Sequence, residues 1–323
     1  MRHADRGSRM PACIAEQLGD DALALEAYHA RWASSFLAGR HAVTLADAER
    51  GVAMYDARRH HSHSYEYGGH DPGVCARAHH AIASWITGFP ERAARMAAEA
   101  IQLSERLGHR ASLIHAAWWS ALVFQLRREP TRCRELAELA IRSVREQGGT
   151  EFHFCPLLVG WAEFETGARE EGLSAMTSAI SATRQSARRT HYAQELCIVA
   201  DALRRSGAPE HALDLVLEAH QILAQSHVQV YKSEVCRLQA SCLEALGRPA
   251  SEIEPWLTRA LSLAEQMNAR SFQLRAATGL ARLRRDQGRC DEARALLASV
   301  YSGFAEGFDT PDLKEAKELL DEF

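Results

Sequence analysis

The chain of 323 residues contains very little lysine and no long apolar run. Lys232, Lys314 and Lys317 are its only lysines, and none of them follows a glycine. A phosphate-binding loop ends in Gly-Lys-Ser/Thr because the lysine must reach the phosphates, so that loop is excluded. No apolar stretch approaches the roughly 20 residues of a membrane-spanning helix, and none follows the basic N-terminus as in a secretory signal. We therefore expect a cytoplasmic protein without a membrane partner.

Other signatures of chemistry are missing as well. The sequence has no His-Glu-x-x-His zinc motif and no Gly-x-Ser-x-Gly elbow, and its eight cysteines include no Cys-x-x-Cys pair. Cysteines scattered over helical positions are typical of reduced, buried thiols in a cytoplasmic protein. The net charge of −4 argues against a general attraction to nucleic acid. We expect no enzymatic activity, no cofactor and no nucleic-acid partner.

What the sequence does contain is a pattern of small residues that recurs about every 40 residues. Its marks are a glycine, or once an arginine, at Gly88, Arg128, Gly167, Gly207, Gly247 and Gly288. Another small residue lies seven positions before each mark, and a proline lies two positions after four of them. Glycine can end a helix in a left-handed conformation, and proline fits the first turn of the next helix. Such a period is typical of a solenoid of stacked helix pairs.

The period predicts an all-α fold, a right-handed superhelical solenoid of about seven antiparallel helix pairs with a C-terminal capping helix. Residues 1–19 form a poorly defined N-terminal segment, and residues 20–323 form a single solenoid. Within the solenoid we expect an irregular first repeat (20–56), a histidine-rich insert (57–73), regular repeats (74–305) and a capping helix (310–323). Small residues at the helix contacts let the helix axes approach closely.

The small-residue positions resemble those of the tetratricopeptide repeat, in a variety longer than the standard 34 residues. In addition, YGGHDPGVC, LRRDQGR and EGFDTPDLKEAKELLDE resemble one group of bacterial multidomain proteins. The similarity is to their C-terminal helical region, which follows a class III adenylate/guanylate cyclase domain and a predicted ATPase domain. This chain has no room for either domain and no strand-rich segment for the paired aspartates of a cyclase. The resemblance thus implies a detached regulatory region, whether a separate gene, a fragment or a remnant of a longer reading frame.

The histidine-rich insert offers one candidate metal site. His60, His61, His63 and His70, with Asp71, could bind zinc or nickel through imidazole nitrogens. Their spacing matches no known ligand framework, however. We favour an ordered turn in which Gly68, Gly69 and Gly73 take unusual dihedral angles and Asp71 binds nearby backbone.

The resemblance also indicates which side chains face the concave groove. In tetratricopeptide arrays these lie thirteen, ten, six, three and two residues before the turn residue, on the first helix of each pair. Aromatic and arginine side chains dominate binding hot spots, and an arginine fork suits carboxylate or phosphate. Tryptophans at helical spacing can equally be core residues, and arginines on helices can be solvated or paired with glutamates. The rule gives a groove that runs from aromatic to arginine-rich, with Asp201, Glu234 and Glu244 between the arginines: Trp85, Trp118, Leu122, Trp161, Phe164, Arg204, Arg205, Arg237, Arg275, Arg282 and Arg285.

These features favour a non-catalytic interaction and regulatory module. Its groove would bind a peptide or a protein partner, possibly a cyclase or ATPase domain. One alternative is a sensor that binds a small anion or metabolite through the arginine-rich half. Another is that the chain is described as an adenylate/guanylate cyclase only because its longer relatives have that activity.

Overall fold

The computed structural model describes Gln17 and residues 19–147, 154–186 and 190–323. Within these residues the chain is entirely helical, without strands, and no helix is long and apolar enough to cross a membrane. Residues 1–16 of the predicted N-terminal segment lie outside the described part. The helices are α1 (Asp21–Leu37), α2 (His41–Met54), α3 (Ala57–His60), α4 (His63–Glu66), α5 (Pro72–Ile86), α6 (Pro90–Leu107), α7 (Arg110–Leu126), α8 (Pro130–Glu146), α9 (Phe154–Glu165), α10 (Arg169–Gln185), α11 (Tyr192–Arg205), α12 (Pro209–Gln225), α13 (Lys232–Ala245), α14 (Ala250–Gln266), α15 (Arg270–Asp286), α16 (Cys290–Tyr301) and α17 (Pro311–Asp321).

The helices form seven packed pairs in the described residues, followed by the capping helix α17. The pairs are α1–α2, α5–α6, α7–α8, α9–α10, α11–α12, α13–α14 and α15–α16. The predicted all-helical solenoid is therefore confirmed. The insert differs in detail from a single turn, because it holds the one-turn helices α3 and α4. Helix α5 already begins at Pro72, where the Asp71 side chain accepts hydrogen bonds from the first-turn N–H groups of Gly73 and Val74.

The turn between the two helices of each regular pair needs a left-handed residue, and glycine supplies it in five of six cases. The exception is Arg128, which adopts φ 60° without the freedom of glycine. Its guanidinium group donates to Glu315 at 2.5 Å and to Asp312 at 3.3 Å, both on α17. These charged contacts offset the backbone strain that an arginine meets in this conformation.

The two helices of the fourth pair approach each other closely at two glycines. Gly160 of α9 and Gly172 of α10 face each other, so that a Cβ built on Gly172 would lie 2.4 Å from the carbonyl oxygen of Gly160. The same Cβ would lie 2.6 Å from the backbone nitrogen of Phe164. Both neighbours are backbone atoms and cannot rotate away as a side chain would. The two glycines therefore set the separation of α9 and α10.

We expect Gly172→Ala to destabilise the chain, because the added methyl group forces two backbones apart. Overpacking of this kind costs roughly 1–3 kcal/mol. The matched control is Gly279→Ala on α15, where the Cβ would meet only the flexible end of Leu257, at 3.1 Å. That change should be neutral or stabilise by up to about 1 kcal/mol, since alanine favours a helix. Urea unfolding measures both variants, and equal effects would contradict the assignment of Gly172 as a spacing residue.

The superhelix closes on itself, because the seventh pair packs against the second and third pairs. The Ser271 hydroxyl of α15 donates to the carbonyl oxygen of Trp85 in α5 at 2.5 Å. The Arg275 guanidinium, also on α15, donates to the carbonyl oxygen of Leu126 in α7 at 2.7 Å. Both acceptors belong to the C-terminal turns of helices, whose last carbonyls have no partner within the helix. The contact thus supplies a partner for the Leu126 carbonyl oxygen and adds a second one for that of Trp85, which already accepts from the Gly88 N–H at 3.1 Å.

A second contact closes the superhelix at the start of α6. Phe89, the residue before α6, makes no side-chain cap, and the carboxylate of Glu306 instead accepts from the Arg92 N–H at 2.8 Å. In return, the Glu91 carboxylate accepts from the Gly307 N–H at 3.0 Å. Two orphan donors are satisfied reciprocally by segments more than 200 residues apart in sequence.

We expect Gly307→Ala to weaken this closure. A Cβ at Gly307 would lie 2.0 Å from Cγ of Pro90, whereas one at Gly288 would meet nothing within 4 Å. Both glycines have φ 78°, so the left-handed strain of alanine is shared by the two variants. Gly307→Ala should therefore lower the free energy of unfolding by roughly 1–3 kcal/mol more than Gly288→Ala does. Urea unfolding of the two single variants tests this, and equal losses would show that the contact with Pro90 carries no stability.

Candidate functional site

Closure of the superhelix leaves an inner cavity of about 430 Å³. Its walls are the first helices of the third to seventh pairs, namely α7, α9, α11, α13 and α15, and α17 contributes Asp312 and Glu315. Ile253 and Leu257 of α14 reach it between these helices. The cavity therefore occupies the concave side of the array, as expected for a solenoid with this repeat.

Six of the residues selected by the offset rule line the inner cavity. Only one of them is aromatic, and it has just 6% of its surface exposed. The remaining five are arginines from α11, α13 and α15. In chain order they are Trp161, Arg204, Arg205, Arg237, Arg275 and Arg282.

The other predicted groove residues lie elsewhere. Trp85 is covered by the seventh pair, with the Phe272 ring 5.4 Å away and the Arg275 guanidinium 4.9 Å above its ring. Phe164 and Leu122 are fully buried between helices. The rule fails for Trp85 because the closing superhelix buries the concave face of the second pair.

Two more predicted residues do not line the cavity either. Trp118 packs in an aromatic cluster against Trp119, with ring centroids 4.2 Å apart, and against Phe154 and His191. Arg285 pairs with Asp286 and with Glu322 near the C-terminus.

The arginines that line the cavity are already paired with carboxylates. Glu234 holds two of them, with Arg237 at 2.6 Å and Arg275 at 3.6 Å, and Arg275 also contacts Asp312 at 2.7 Å. Burial alone would lower the pKa of Arg237, but the neighbouring carboxylates, Glu234 above all, outweigh it and raise that pKa. These arginines remain charged, and their charges are compensated.

The pairing continues on α11. Arg204 contacts Asp201 at 2.9 Å, and one Arg205 nitrogen donates to Glu165 at 3.0 Å. Burial raises the pKa of Asp201, but the guanidinium groups of Arg204 and Arg237 outweigh it and hold that pKa below its usual value. The lining as a whole contains six arginines and six carboxylates: Arg128, Arg204, Arg205, Arg237, Arg275 and Arg282 against Glu165, Asp201, Glu234, Glu244, Asp312 and Glu315. The cavity is therefore charge-balanced, although its arginines stand out in the sequence.

Three uncharged polar side chains of the lining have unused hydrogen-bonding groups: Gln125, through its Oε1 atom, Gln194 and Tyr231. Neither amide atom of Gln194 has a hydrogen-bond partner within the described ranges, and the residue is 3% exposed. The hydroxyl group of Tyr231, at the start of α13, is likewise buried and without a hydrogen-bond partner there. A buried polar group without a partner costs about 1–3 kcal/mol. A ligand that pairs with these groups would recover that energy.

Sequence reasoning missed Gln194 and Tyr231, though it could have found the first of them. Gln194 lies thirteen positions before Gly207 and so obeys the same offset rule as the arginines. Tyr231 precedes α13 and lies outside the rule.

The histidine-rich insert does not form the site that its sequence suggested. The ring of His60 accepts from the Asp56 N–H at 3.0 Å, His61 contacts Asp71 at 2.9 Å, and His63 contacts Glu26 at 2.8 Å. These three rings each have a different partner and do not converge on one point. The predicted turn is present in part, because Gly69 has φ 69° and Asp71 binds backbone N–H groups. Gly68 and Gly73 do not have positive φ; Gly73 is instead helical, and a Cβ there would lie 2.5 Å from the Tyr55 ring.

Comparison with solved structures places the fold among tetratricopeptide-like solenoids. NprR in complex with its cognate peptide NprX is similar, with a TM-score of 0.58 and 10% sequence identity, over 92% of this chain and 82% of that one. A Rap protein complexed with competence and sporulation factor has a TM-score of 0.57 and 14% identity, over 92% of this chain and 78% of that one. At these identities the likeness concerns the fold.

The sequence itself matches no family model. An uncharacterized protein of Rhizobium meliloti is 26% identical over 253 residues, which are 78% of this chain. The match covers 25% of that protein, so the chain spans about a quarter of the length of this curated relative.

Proposed function

We propose that the chain is a non-catalytic regulatory module that binds a short peptide segment in its inner cavity. The observation that carries the proposal is the pair of buried, unused hydrogen-bonding groups of Gln194 and Tyr231 on the cavity lining. A side-chain amide offers both a donor and an acceptor, which matches the N–H and C=O of a peptide group. The known peptide ligand of the similar NprR structure is in keeping with this.

The size and charge of the cavity narrow the class of ligand. About 430 Å³ lies within the range of roughly 300–1,000 Å³ of small-ligand sites, so a few residues of a peptide fit and a folded domain does not. A small anion is less suited, because it would have to compete with carboxylates already bound to the arginines. A segment with side chains of both charges could instead exchange partners with these ion pairs.

The longer relative suggests a setting for the module. We propose that the helical region regulates a signalling protein that also contains nucleotide cyclase and ATPase domains, as the motifs YGGHDPGVC and LRRDQGR imply. The match to only a quarter of the Rhizobium meliloti protein agrees with a region that occurs within larger proteins. The bound segment would then come from such a domain or from a separate peptide signal.

Gln194→Leu tests the site directly. We expect it to weaken peptide binding roughly tenfold or more, because one or two hydrogen bonds are lost. The melting temperature should stay the same or rise, since a buried amide without a partner is replaced by an apolar group. Peptides from a random array identify a ligand of the wild type, and fluorescence anisotropy then compares the affinities.

Gln221→Leu is the matched control, because Gln221 is exposed on α12, outside the cavity lining. It should leave the affinity unchanged. Equal affinity of Gln194→Leu and wild type would place the ligand elsewhere, and the absence of any peptide ligand would contradict the proposed function. Reversing the charge of Arg275 is a poorer test, because that side chain also donates to Leu126 and helps to close the superhelix.

A further inference from the structure

Away from the inner cavity, four segments bring together a cysteine and four histidines. The segments are α1, the end of the insert, α5 and α7. Their potential ligand atoms form two groups of three that share the Cys75 sulfur, and within each group the atoms lie within 4.8 Å of one another. The first group is His29, His70 and Cys75, and the second is Cys75, His79 and His115.

The spacing of these atoms suits a tetrahedral metal ion. Zinc binds nitrogen at about 2.0–2.1 Å and sulfur at about 2.3 Å, which separates two nitrogen ligands by about 3.4 Å and a nitrogen from a sulfur by about 3.6 Å. Nε2 of His29 and Nε2 of His70 are 3.2 Å apart. The Cys75 sulfur lies within 4.8 Å of the ligand atoms of both histidines. The side chains are therefore close to the geometry of ligands before any ion is considered.

A carboxylate orients the first histidine. The other ring nitrogen of His29, Nδ1, lies 3.0 Å from Glu26, whose second oxygen contacts His63 at 2.8 Å. A carboxylate on the far nitrogen of a histidine is the usual second partner of a metal-binding imidazole, since it fixes the ring and its tautomer. This contact directs Nε2 of His29 toward His70.

The second group contributes no further ligand to the first. The His115 ring stacks on His70, with centroids 3.9 Å apart and an angle of 9°, so the in-plane lone pairs of the two rings cannot converge on one ion. Nδ1 of His79 lies 3.1 Å from the carbonyl oxygen of Cys75, which already serves as its partner.

We infer that Cys75, His29 and His70 bind one transition-metal ion of the zinc class, whose fourth position is left to a water molecule or another small ligand. Thiolate and imidazole ligands favour zinc and its chemical relatives over magnesium and calcium, which prefer oxygen. The ion would tie the insert to α1 and α5, and so would stiffen the first two helix pairs. This inference is independent of the proposed peptide site.

Cobalt and zinc test the site in the full chain, purified without a histidine tag, under reducing conditions and after chelation. Adding Co²⁺ should produce a thiolate-to-cobalt charge-transfer band at one ion per chain, and Zn²⁺ should displace it. Zn²⁺ should also raise the melting temperature, because it binds the folded chain. Cys75→Ser should lose the band, and His70→Ala, on the less buried insert, should lose most of the affinity for Zn²⁺.

His61→Ala is the matched control, because His61 lies in the same insert but contacts Asp71 instead of the cluster. It should retain the band and the zinc-dependent rise in melting temperature. If Cys75→Ser fails to fold by circular dichroism, His70→Ala decides the question. The inference is overturned if the wild type shows neither band nor stabilisation, or if His61→Ala loses them as fully as His70→Ala does.

Discussion

The contact between the seventh helix pair and the second and third pairs determines most of what is specific to this molecule. A solenoid is usually stabilised between neighbouring repeats, so each pair depends only on those beside it. Here Ser271 and Arg275 bind the ends of α5 and α7, and Glu306 caps α6. The two ends of the array are thus held together, and a concave surface becomes a partly enclosed cavity. We therefore expect more cooperative unfolding than in an open array of this length.

The closure also explains the chemistry of the lining. Arg275 serves two purposes, since it binds Leu126 in α7 and the carboxylates of Glu234 and Asp312. An arginine in this enclosed position needs a partner, because an unpaired buried charge is strongly unfavourable. The acidic residues that alternate with the arginines meet this need. Among the uncharged lining side chains, Gln194 and Tyr231 retain buried polar groups without a partner in the described residues.

The helix pairs could be predicted from the sequence because they depend on local chemistry. Glycine at the left-handed turn, proline in the first turn and alanine at the helix contact act within a few residues of one another, and the helices follow them closely. Arg128 shows the limit of prediction from local chemistry, because its side chain binds Asp312 and Glu315 of α17, far along the chain. Closure could not be predicted, because it results from small rotations added over several pairs. Trp85 was accordingly expected in the groove and is buried beneath α15.

The two candidate sites also differ in how far the sequence alone could locate them. The cavity arginines lie at fixed offsets from the turn residues, so a pattern could locate them, and it could also have located Gln194. The cysteine–histidine cluster takes its members from four separate segments, and only His70 belongs to the conspicuous insert. No spacing rule joins His29 to His115, because their proximity is created by the packing of the first three pairs.

The radius of gyration in solution, measured by small-angle X-ray scattering, tests the closed superhelix most directly. A closed array of 323 residues should give a value near that of a compact globular protein of its length, about 20 Å. The pair-distance distribution should have a single, nearly symmetric peak. A radius several ångströms larger, with the long tail of an extended superhelix, would contradict the closure and with it the inner cavity.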